Sequence, residues 1–379
     1  MRTVQARWME GTGWDPTFPA EPDETAQLVL LFGSTPVLKS GQGLADVKRA
    51  YPGAQILGCS TSGEIVGTRV YDDSLVATAV EFEHTRLRGA RVTLSETGSS
   101  FEAGKRLGLA LPSEGLVHVF VLSDGLAVNG SELVAGLTDA LPSHVTLTGG
   151  LSADGARFEE TLVLWNGEPR GGDVAALGFY GDRLRIGYGS LGGWDPFGPE
   201  RLITRSTGNT LHELDGKPVL PIYKQYLGEL AEGLPATALL FPLSLRSADS
   251  TEPVVRTVLA VNEDEQSITF AGDMPEGSHG RFMKANFERL IDGAAGAART
   301  SHQALRDAAP ELAILISCVG RKLILKQRIE EEVEGVQEVF GDETVMTGFY
   351  SYGEISPFTP GARCELHNQT MTITPFAER

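Results

Sequence analysis

Three glycine-rich loops carry most of the side chains in this sequence that could bind a ligand. The loops occupy residues 58–65, 149–155 and 348–355, and each follows an apolar run that is typical of a buried strand. Open α/β sheets bind their ligands at the carboxyl ends of strands. We therefore expect a ligand site formed by these loops and by two further strand ends, comprising Cys59, Ser60, Thr61, Ser62, Glu64, Ser123, Asp124, Ser152, Asp154, Cys318, Arg321, Tyr352 and Glu354.

The charged members of this set suggest a zwitterionic ligand. A zwitterion needs an acceptor for its ammonium group and a donor for its carboxylate. Glu64 or Glu354 would accept from the ammonium group, and Arg321 with loop N–H groups would bind the carboxylate. Other roles stay open, because a residue such as Glu64 often caps a helix or bonds to its own loop, and Arg321 suits a structural role equally well.

The cysteines offer an enzymatic alternative. Cys318 or Cys59 could act as a thiolate nucleophile in a hydrolase or transferase that acts on a small amide or thioester, and Arg321 could lower the pKa of the Cys318 thiol. However, Cys318 follows five apolar residues, where a small buried hydrophobic side chain is the favoured interpretation. No histidine is an obvious general base for either thiol. We therefore expect a binding protein and not an enzyme.

The elements that must position the loops form a repeated pattern. An apolar strand, a helix and a second strand precede each loop, and the first strands cover about 28–32, 117–122 and 312–316. Such βαβ units place their strands in parallel, and the short runs that follow, separated by Gly, Asp or Asn turns, predict antiparallel strands. The sequence thus predicts an α/β protein with mixed parallel and antiparallel sheets, built from repeated β-α-β units followed by antiparallel strands.

Two similar halves are expected from the loop sequences. The first and third loops share Gly-x-x-Ser/Thr-x-Gly-Glu-Ile, whereas the second shares only the Gly and Ser spacing. A Gly- and Pro-rich stretch at about 192–221 indicates a boundary between the halves. We expect a Pro-rich, acidic N-terminal segment at 1–26, with the fold proper starting at residue 28, and domains at 27–200 and 201–379.

Composition excludes several partners. The chain has 32 Lys and Arg against 50 Asp and Glu, a net charge of −18 that repels phosphate backbones and anionic headgroups, so neither nucleic acid nor a membrane is an expected partner. No histidine pair has metal-ligand spacing and no cofactor motif is complete, so we expect neither metal nor cofactor. Three dispersed cysteines and the lack of a signal peptide favour the cytoplasm.

The loop motifs also resemble a known family. Residues 58–65 and 149–154 resemble the N-terminal half of the FIST family of bacterial sensory proteins, and 208–218, 317–321 and 349–355 resemble its C-terminal half. The resemblance covers nearly the whole chain. It implies an intracellular input module of signal transduction, with FIST N-terminal-type and C-terminal-type domains, that binds a small ligand such as an amino acid or a derivative. Because the chain ends soon after Glu354, we expect a separate signalling partner, such as a kinase or a cyclase.

Overall fold

The computed structural model describes residues 1–18, 21–234, 236–246, 253–306, 308–358 and 361–379. Three units of the same topology form the core of the protein. The first unit contains β1 (Arg2–Met9), β2 (Gly13–Asp15), β3 (Leu28–Gly33), α1 (Thr35–Ser40), α2 (Gln42–Ala50), β4 (Gln55–Ser60), β5 (Glu64–Val66), β6 (Arg69–Tyr71) and β7 (Ser74–Glu81).

The second unit repeats this order with one helix between its two parallel strands. Asn129 begins that helix by accepting hydrogen bonds from the N–H groups of Ser131 and Glu132, as a good N-cap residue does. The unit contains β8 (Arg86–Thr93), a 3-10 turn (Leu94–Glu96), α3 (Ser100–Ala110), β9 (Leu116–Ser123), α4 (Gly130–Ala140), β10 (Thr146–Leu151), β11 (Val163–Trp165) and β12 (Asp173–Tyr180).

A second, smaller domain is inserted after two short strands, β13 (Leu184–Ile186) and β14 (Gly189–Leu191). It has its own apolar core, which includes Leu211, Tyr223 and Phe282. Its elements are β15 (Trp194–Pro196), β16 (Arg201–Thr207), β17 (Thr210–Leu214), β18 (Lys217–Pro218), α5 (Val219–Leu227), 3-10 turns at Gly228–Gly233 and Ala236–Leu240, β19 (Leu243–Arg246), β20 (Val254–Arg256), β21 (Val258–Asn262), β22 (Ser267–Phe270) and β23 (His279–Ala285).

The third unit completes the core. It contains α6 (Phe287–Ala304), β24 (Leu312–Cys318), α7 (Val319–Leu325), a 3-10 turn (Lys326–Arg328), α8 (Ile329–Phe340), β25 (Val345–Ser351), β26 (Gly353–Pro357), β27 (Cys364–His367) and β28 (Met371–Glu378). No helix in the described ranges is long and apolar enough to cross a membrane.

The three units pair their strands in the same way. The first long strand of each unit is parallel to the strand after the helix and antiparallel to the returning strand, as in the β4-β3-β7, β10-β9-β12 and β25-β24-β28 triplets. This confirms the mixed α/β class and the equivalence of the first and third loops. The second unit shares the topology too, although its loop sequence differs.

Each unit also contributes one strand to the sheet of another unit. Strand β5 of the first unit pairs with β25, β26 of the third pairs with β10, and β11 of the second pairs with β4. This exchange closes the units into a ring whose sheets share a central core that includes Phe32, Phe120 and Phe349. Helices cover the outer faces of the sheets.

The N-terminal segment belongs to the fold, which differs from the expected start at residue 28. Strand β1 pairs along its whole length with β7, from Arg2 opposite Glu81 to Met9 opposite Ser74. Side chains such as Ala6 and Trp8 are buried in the outer core of the first unit. The alternation of apolar and polar residues in β1 suits a strand with one buried face.

Candidate functional site

The three loops meet where the parallel strands end, and we call this region the three-loop junction. Backbone hydrogen bonds run around the ring from each loop to the next. The N–H groups of Ala153, Tyr352 and Ser62 donate to the carbonyl oxygens of Ser60, Leu151 and Tyr350, at 2.9, 3.4 and 2.8 Å respectively. The structure therefore brings together loop residues that lie up to about 290 positions apart in the sequence.

Glu64 is fully buried in the first loop and is bonded within its own unit. Thr61 Oγ1 donates to its Oε1, and Ser74 donates to its Oε2 from Oγ at 2.6 Å and from the backbone N–H at 3.3 Å. Burial raises the pKa of Glu64 to about 7, against the opposing effect of the two hydroxyl groups. The carboxyl group has no solvent-facing side, so its expected role as an acceptor for a ligand has no geometric support.

Glu354 repeats this arrangement in the third loop. Ser351 Oγ donates to its Oε1 at 2.6 Å, and Thr370 donates to its Oε2 from Oγ1 at 2.9 Å and from N–H at 3.2 Å. Burial raises the pKa of Glu354 to about 8, while these hydrogen bonds act in the opposite direction. The shared Gly-Glu-Ile motif thus places two buried carboxyl groups in equivalent hydrogen-bond settings.

The two aspartates of the set bind backbone N–H groups. Asp124 accepts from Leu126 and Ala127 at 2.9 and 2.7 Å and from Gly172 at 2.9 Å. Each aspartate thereby orders the loop that surrounds it.

Asp154 has a comparable role in the second loop. It accepts from three successive backbone N–H groups, those of residues 158, 159 and 160, at 2.9–3.0 Å, and from the hydroxyl of Tyr352. Burial alone would raise the pKa of Asp154, but these hydrogen bonds lower it below its ordinary value. Asp154 and Tyr352 therefore join the second loop to the third.

The serines of the set also bond mainly to nearby backbone. Ser60 Oγ accepts from Leu162 N–H at 2.9 Å, and Ser123 Oγ donates to the carbonyl of Asp124 at 3.1 Å. Ser62 Oγ accepts from a glycine N–H of the second loop at 2.9 Å. Ser152 stands where the other two loops have Thr61 and Ser351, and its buried Oγ has no hydrogen-bond partner within the described part of the chain.

Both cysteines of the set are buried. Cys59 is 0% exposed in the central core, and Cys318 is 2% exposed at the end of β24. Burial raises the pKa of each thiol well above its ordinary value, with Glu64 and Glu354 adding to the effect on Cys59 and Cys318 respectively. A nucleophilic cysteine needs a lowered pKa and access to substrate, so this geometry disfavours the enzymatic alternative.

Arg321 uses its guanidinium group inside the protein. Its Nε and Nη2 donate to Glu332 Oε2 at 3.0 and 2.7 Å, and its Nη2 and Nη1 donate to the carbonyls of Leu290 and Gly192 at 2.6 and 2.8 Å. Both charged side chains are 0% exposed. Of the two roles that the sequence leaves open for Arg321, the structural one fits these contacts.

The space for a ligand lies elsewhere, between the inserted domain and the core. A cleft of about 220 Å³ opens there, which we call the Arg256 cleft. Helix α4 supplies Ser131 and Val134 to its wall, and the inserted domain supplies Arg256 and Asp273. Strand β27 and the residue before it add charged and apolar side chains, Arg363, Glu365 and Leu366.

Arg256 is the most unusual residue of this cleft. It is only 6% exposed, yet no carboxylate within the described ranges lies at ion-pair distance from it. Its Nη1 donates to the carbonyl of Leu366 at 2.8 Å, across the boundary between the two domains, and its Nε donates to the carbonyl of Asp273 at 3.4 Å. Burial lowers the pKa of Arg256 to about 10, although Glu365 and Asp273 act in the opposite direction.

Asp273 lies beside Arg256 and is only partly engaged. Its Oδ1 accepts from Asn129 Nδ2 at 2.9 Å, and its N–H reaches Ser131 Oγ at 3.5 Å. The Arg256 cleft therefore combines cationic and anionic groups with an apolar floor. Within the described ranges, no cluster of three His, Cys, Asp or Glu side chains could bind a metal ion.

None of these cleft residues belongs to the site predicted from the sequence. Ser131, Arg256, Asp273 and Glu365 come from separate segments, and none belongs to a glycine-rich loop. One signal was available in Arg256, because it lies in the run Val-Val-Arg-Thr-Val at 254–258, where a charged residue interrupts apolar strand residues. A buried arginine in such a run calls for a partner.

Comparison with known proteins identifies the family of the two parts of the chain. The model of the FIST N domain matches residues 27–217, and the model of the FIST C domain matches residues 220–357. An uncharacterized protein of Methanocaldococcus jannaschii is 24% identical over an alignment of 218 residues, and the match covers 54% of this chain and 41% of that protein. The chain thus matches about two fifths of the length of this relative.

Two solved structures share only a distant likeness. The cyanuric acid hydrolase from A. caulinodans has a TM-score of 0.20 at 12% identity, over 78% of this chain and 99% of the hydrolase. PurLQS from Thermotoga maritima has a TM-score of 0.22 at 7% identity, over 84% of this chain and 74% of that chain. At TM-scores this low, neither structure carries an argument about this protein.

Proposed function

The chain belongs to the FIST family, whose domains are sensory domains of signal-transduction proteins, and on that premise we propose that it senses an amino acid or a related zwitterionic metabolite in the Arg256 cleft. The observation that carries this proposal is the setting of Arg256. A buried guanidinium with no carboxylate at ion-pair distance among the described residues is costly unless its charge is balanced, and a ligand carboxylate would balance it with charge-assisted hydrogen bonds.

The size and the charges of the cleft support a small zwitterion. Its volume of about 220 Å³ lies below the range of roughly 300–1,000 Å³ that is usual for drug-sized ligands. Arg256 and Arg363 would bind the ligand carboxylate, and Asp273 and Glu365 would accept from its ammonium group. The apolar wall formed by residues such as Val134 and Leu366 would contact the rest of the ligand.

The position of the cleft supports a sensory role. Arg256 belongs to the inserted domain and bonds to Leu366 of the core, so a ligand at its guanidinium would contact both domains. A ligand that prefers one arrangement of the domains shifts the population toward it. A separate signalling protein, such as a kinase or a cyclase, would then read the arrangement.

In this proposal, the three-loop junction holds the ring of units together and does not contact the ligand. Apart from the hydroxyl of Ser152, its described carboxyl and hydroxyl groups have hydrogen-bond partners inside the protein, and Arg321 is bonded to Glu332 and to backbone. The cysteine hydrolase remains the weaker candidate, since it would require a buried thiol with a raised pKa to act as the nucleophile.

Native mass spectrometry of the purified protein, followed by a thermal-shift screen of the twenty amino acids, tests the proposal. We expect at least one amino acid to raise the melting temperature of the wild type and of Arg246→Gln, but not that of Arg256→Gln. Arg246 is a matched control, because it lies on the neighbouring strand β19 and is paired at the surface with Glu200. If an amino acid raises the melting temperatures of both variants equally, or if none raises that of the wild type, then the proposed site at Arg256 is wrong.

A further inference from the structure

A second cavity lies between the inserted domain and the core, and its lining residues are all different from those of the Arg256 cleft. It is an open groove of about 470 Å³, within the usual size range of ligand sites. We call it the Phe158 groove. Phe158 and helix α7 form its core side, and the inserted domain forms the other, with lining residues that include Leu240, Val258, Leu259, Leu323 and Lys326.

The apolar residues of the groove are unusually exposed. Phe158, Leu259 and Leu323 are 38, 36 and 38% exposed, and they come from three separate segments of the chain that converge on this groove. Single exposed apolar side chains are common, but a concave group of them is typical of a ligand-binding groove or of an interaction surface. Transfer of an apolar ligand from water into this groove would be favourable in proportion to the area buried.

One wall of the groove is held in place by the three-loop junction. The ring of Phe158 stacks on that of Tyr352 with centroids 4.6 Å apart and planes at 7°. The hydroxyl of Tyr352 donates to Asp154 and lies 3.0 Å from the carbonyl oxygen of Gly155. These internal contacts hold the wall in place, and a preformed wall lowers the entropic cost of binding.

The groove has a cationic group but no anionic one among its described lining residues. Lys326 lies at the end of α7 with φ of 50°, a left-handed conformation that is uncommon for a residue other than glycine. Its ammonium group can pair with a carboxylate. A ligand ammonium would find no carboxylate among the described lining residues, so the groove and the Arg256 cleft differ in the ligands they suit.

We propose that the Phe158 groove binds a small apolar carboxylate, with its hydrocarbon part against Phe158, Leu259 and Leu323 and its carboxylate at Lys326. This site is independent of the proposed amino-acid site, because it rests on different residues. It would give the protein a second input at the same boundary between domains. Val258 of the groove is two residues from Arg256 of the cleft, so the two inputs would act on one segment of the inserted domain.

Isothermal titration calorimetry with octanoate, below the concentration at which it forms micelles, tests this site. We expect saturable binding to the wild type, weakened about tenfold in Leu323→Gln or Leu259→Gln, because less apolar surface is buried. Lys326→Gln should weaken it about three- to fivefold, as is usual for an exposed ion pair. Leu109→Gln, at a leucine of α3 that is 69% exposed, is the matched control and should bind octanoate as the wild type does.

Two further measurements separate this site from its alternatives. The wild type should bind octanol more weakly than octanoate, and its affinity for octanol should be about the same as that of Lys326→Gln. Arg256→Gln should bind octanoate as the wild type does. The proposal is overturned if octanoate does not bind, if the groove variants bind it as tightly as Leu109→Gln, or if octanol binds the wild type as tightly as octanoate. Loss of octanoate binding in Arg256→Gln would place the ligand in the other cleft.

Discussion

Two buried arginines of this protein have opposite surroundings. Arg321 in the core is 0% exposed and is bonded to the carboxylate of Glu332 and to two backbone carbonyls. Arg256 in the inserted domain is 6% exposed, and its hydrogen bonds within the described ranges go to carbonyls alone. The charge of Arg321 is balanced by Glu332 inside the fold, whereas our proposal assigns a ligand carboxylate as the counter-charge of Arg256.

The same contrast separates the regions that contain the two arginines. In the three-loop junction, almost every polar group of the sequence-based set has an internal partner, and these partners join one unit to the next. In the Arg256 cleft, charged side chains of both signs face a cavity at the boundary between two domains. Polar residues that satisfy one another stabilise a fold, while those that face a cavity can recognise a ligand.

The largest effect is expected from Arg321→Gln. This substitution leaves Glu332 buried without its cation, and breaking a buried pair from one side typically costs about 3–5 kcal/mol of the free energy of unfolding. Urea denaturation measures the loss. A cost below about 1 kcal/mol would contradict the assignment of Arg321 to the structural side of the comparison.

Arg256→Gln should change ligand binding far more than stability. It leaves no carboxylate of the described residues without its cation, so the loss of its carbonyl bonds should cost only about 1–2 kcal/mol of the free energy of unfolding. The affinity for the amino acid found in the screen should fall by a factor of about 30 or more, because a charge-assisted interaction is removed. Calorimetric titration and urea denaturation of the same variant check both values. If Arg256→Gln loses as much stability as Arg321→Gln and keeps its affinity for the amino acid, then Arg256 has a structural role and does not bind the ligand.

A smaller effect, visible only as a pH dependence, is expected for Glu354→Gln. The pKa of Glu354 is raised from 4.5 to about 8 in the folded protein, so between these values the folded state retains a proton that the unfolded state loses. The contribution of Glu354 to stability is therefore fully present below about pH 4.5 and declines as the pH rises to 8.

Urea denaturation from pH 5 to 9 measures this contribution as the difference between the wild type and Glu354→Gln. The difference in the free energy of unfolding should fall with rising pH and level off near pH 8. Glu64→Gln serves as the matched comparison, and its difference should level off near pH 7, since the pKa of Glu64 is raised to about 7. Differences that do not depend on pH would show that neither carboxyl group is protonated in the folded protein.

The smallest effect is expected from Cys318→Ser. The thiol is buried and faces neither cavity, so the affinity for the amino acid should be unchanged. Iodoacetamide should modify Cys318 much more slowly in the folded protein than in urea, because the thiolate is both rare and inaccessible. Rapid and selective modification of the folded protein would instead favour the cysteine-dependent enzyme.

The sequence was sufficient to predict the units but not their assembly. Continuous apolar runs such as Leu28–Gly33, ended by glycine and serine, identify the parallel strands and the loops that follow them. The exchange of β5, β11 and β26 between sheets could not be predicted, because each of these short strands pairs with a strand that is distant in the sequence. Strand β1 was missed for the same reason, since its partner β7 lies more than 60 residues away.

The candidate site was harder to predict than the fold. The three loops lie near one another because the exchanged strands β5, β11 and β26 join the three sheets that contain them. Their hydrogen bonds could not be foreseen, because Thr61 and Ser74 satisfy Glu64 only in the folded geometry. The Arg256 cleft arises where the inserted domain meets α4 and β27, a contact between segments for which the sequence contains no spacing signal.

A crystal structure of the protein with the amino acid that gives the largest thermal shift tests the central claim most directly. The account predicts that the ligand lies in the Arg256 cleft, with a carboxylate oxygen about 2.7–2.9 Å from the guanidinium of Arg256 and its ammonium group beside Asp273 or Glu365. Arg321 should keep its bonds to Glu332. A ligand bound at the three-loop junction, with Arg321 turned away from Glu332 to meet it, would contradict the account.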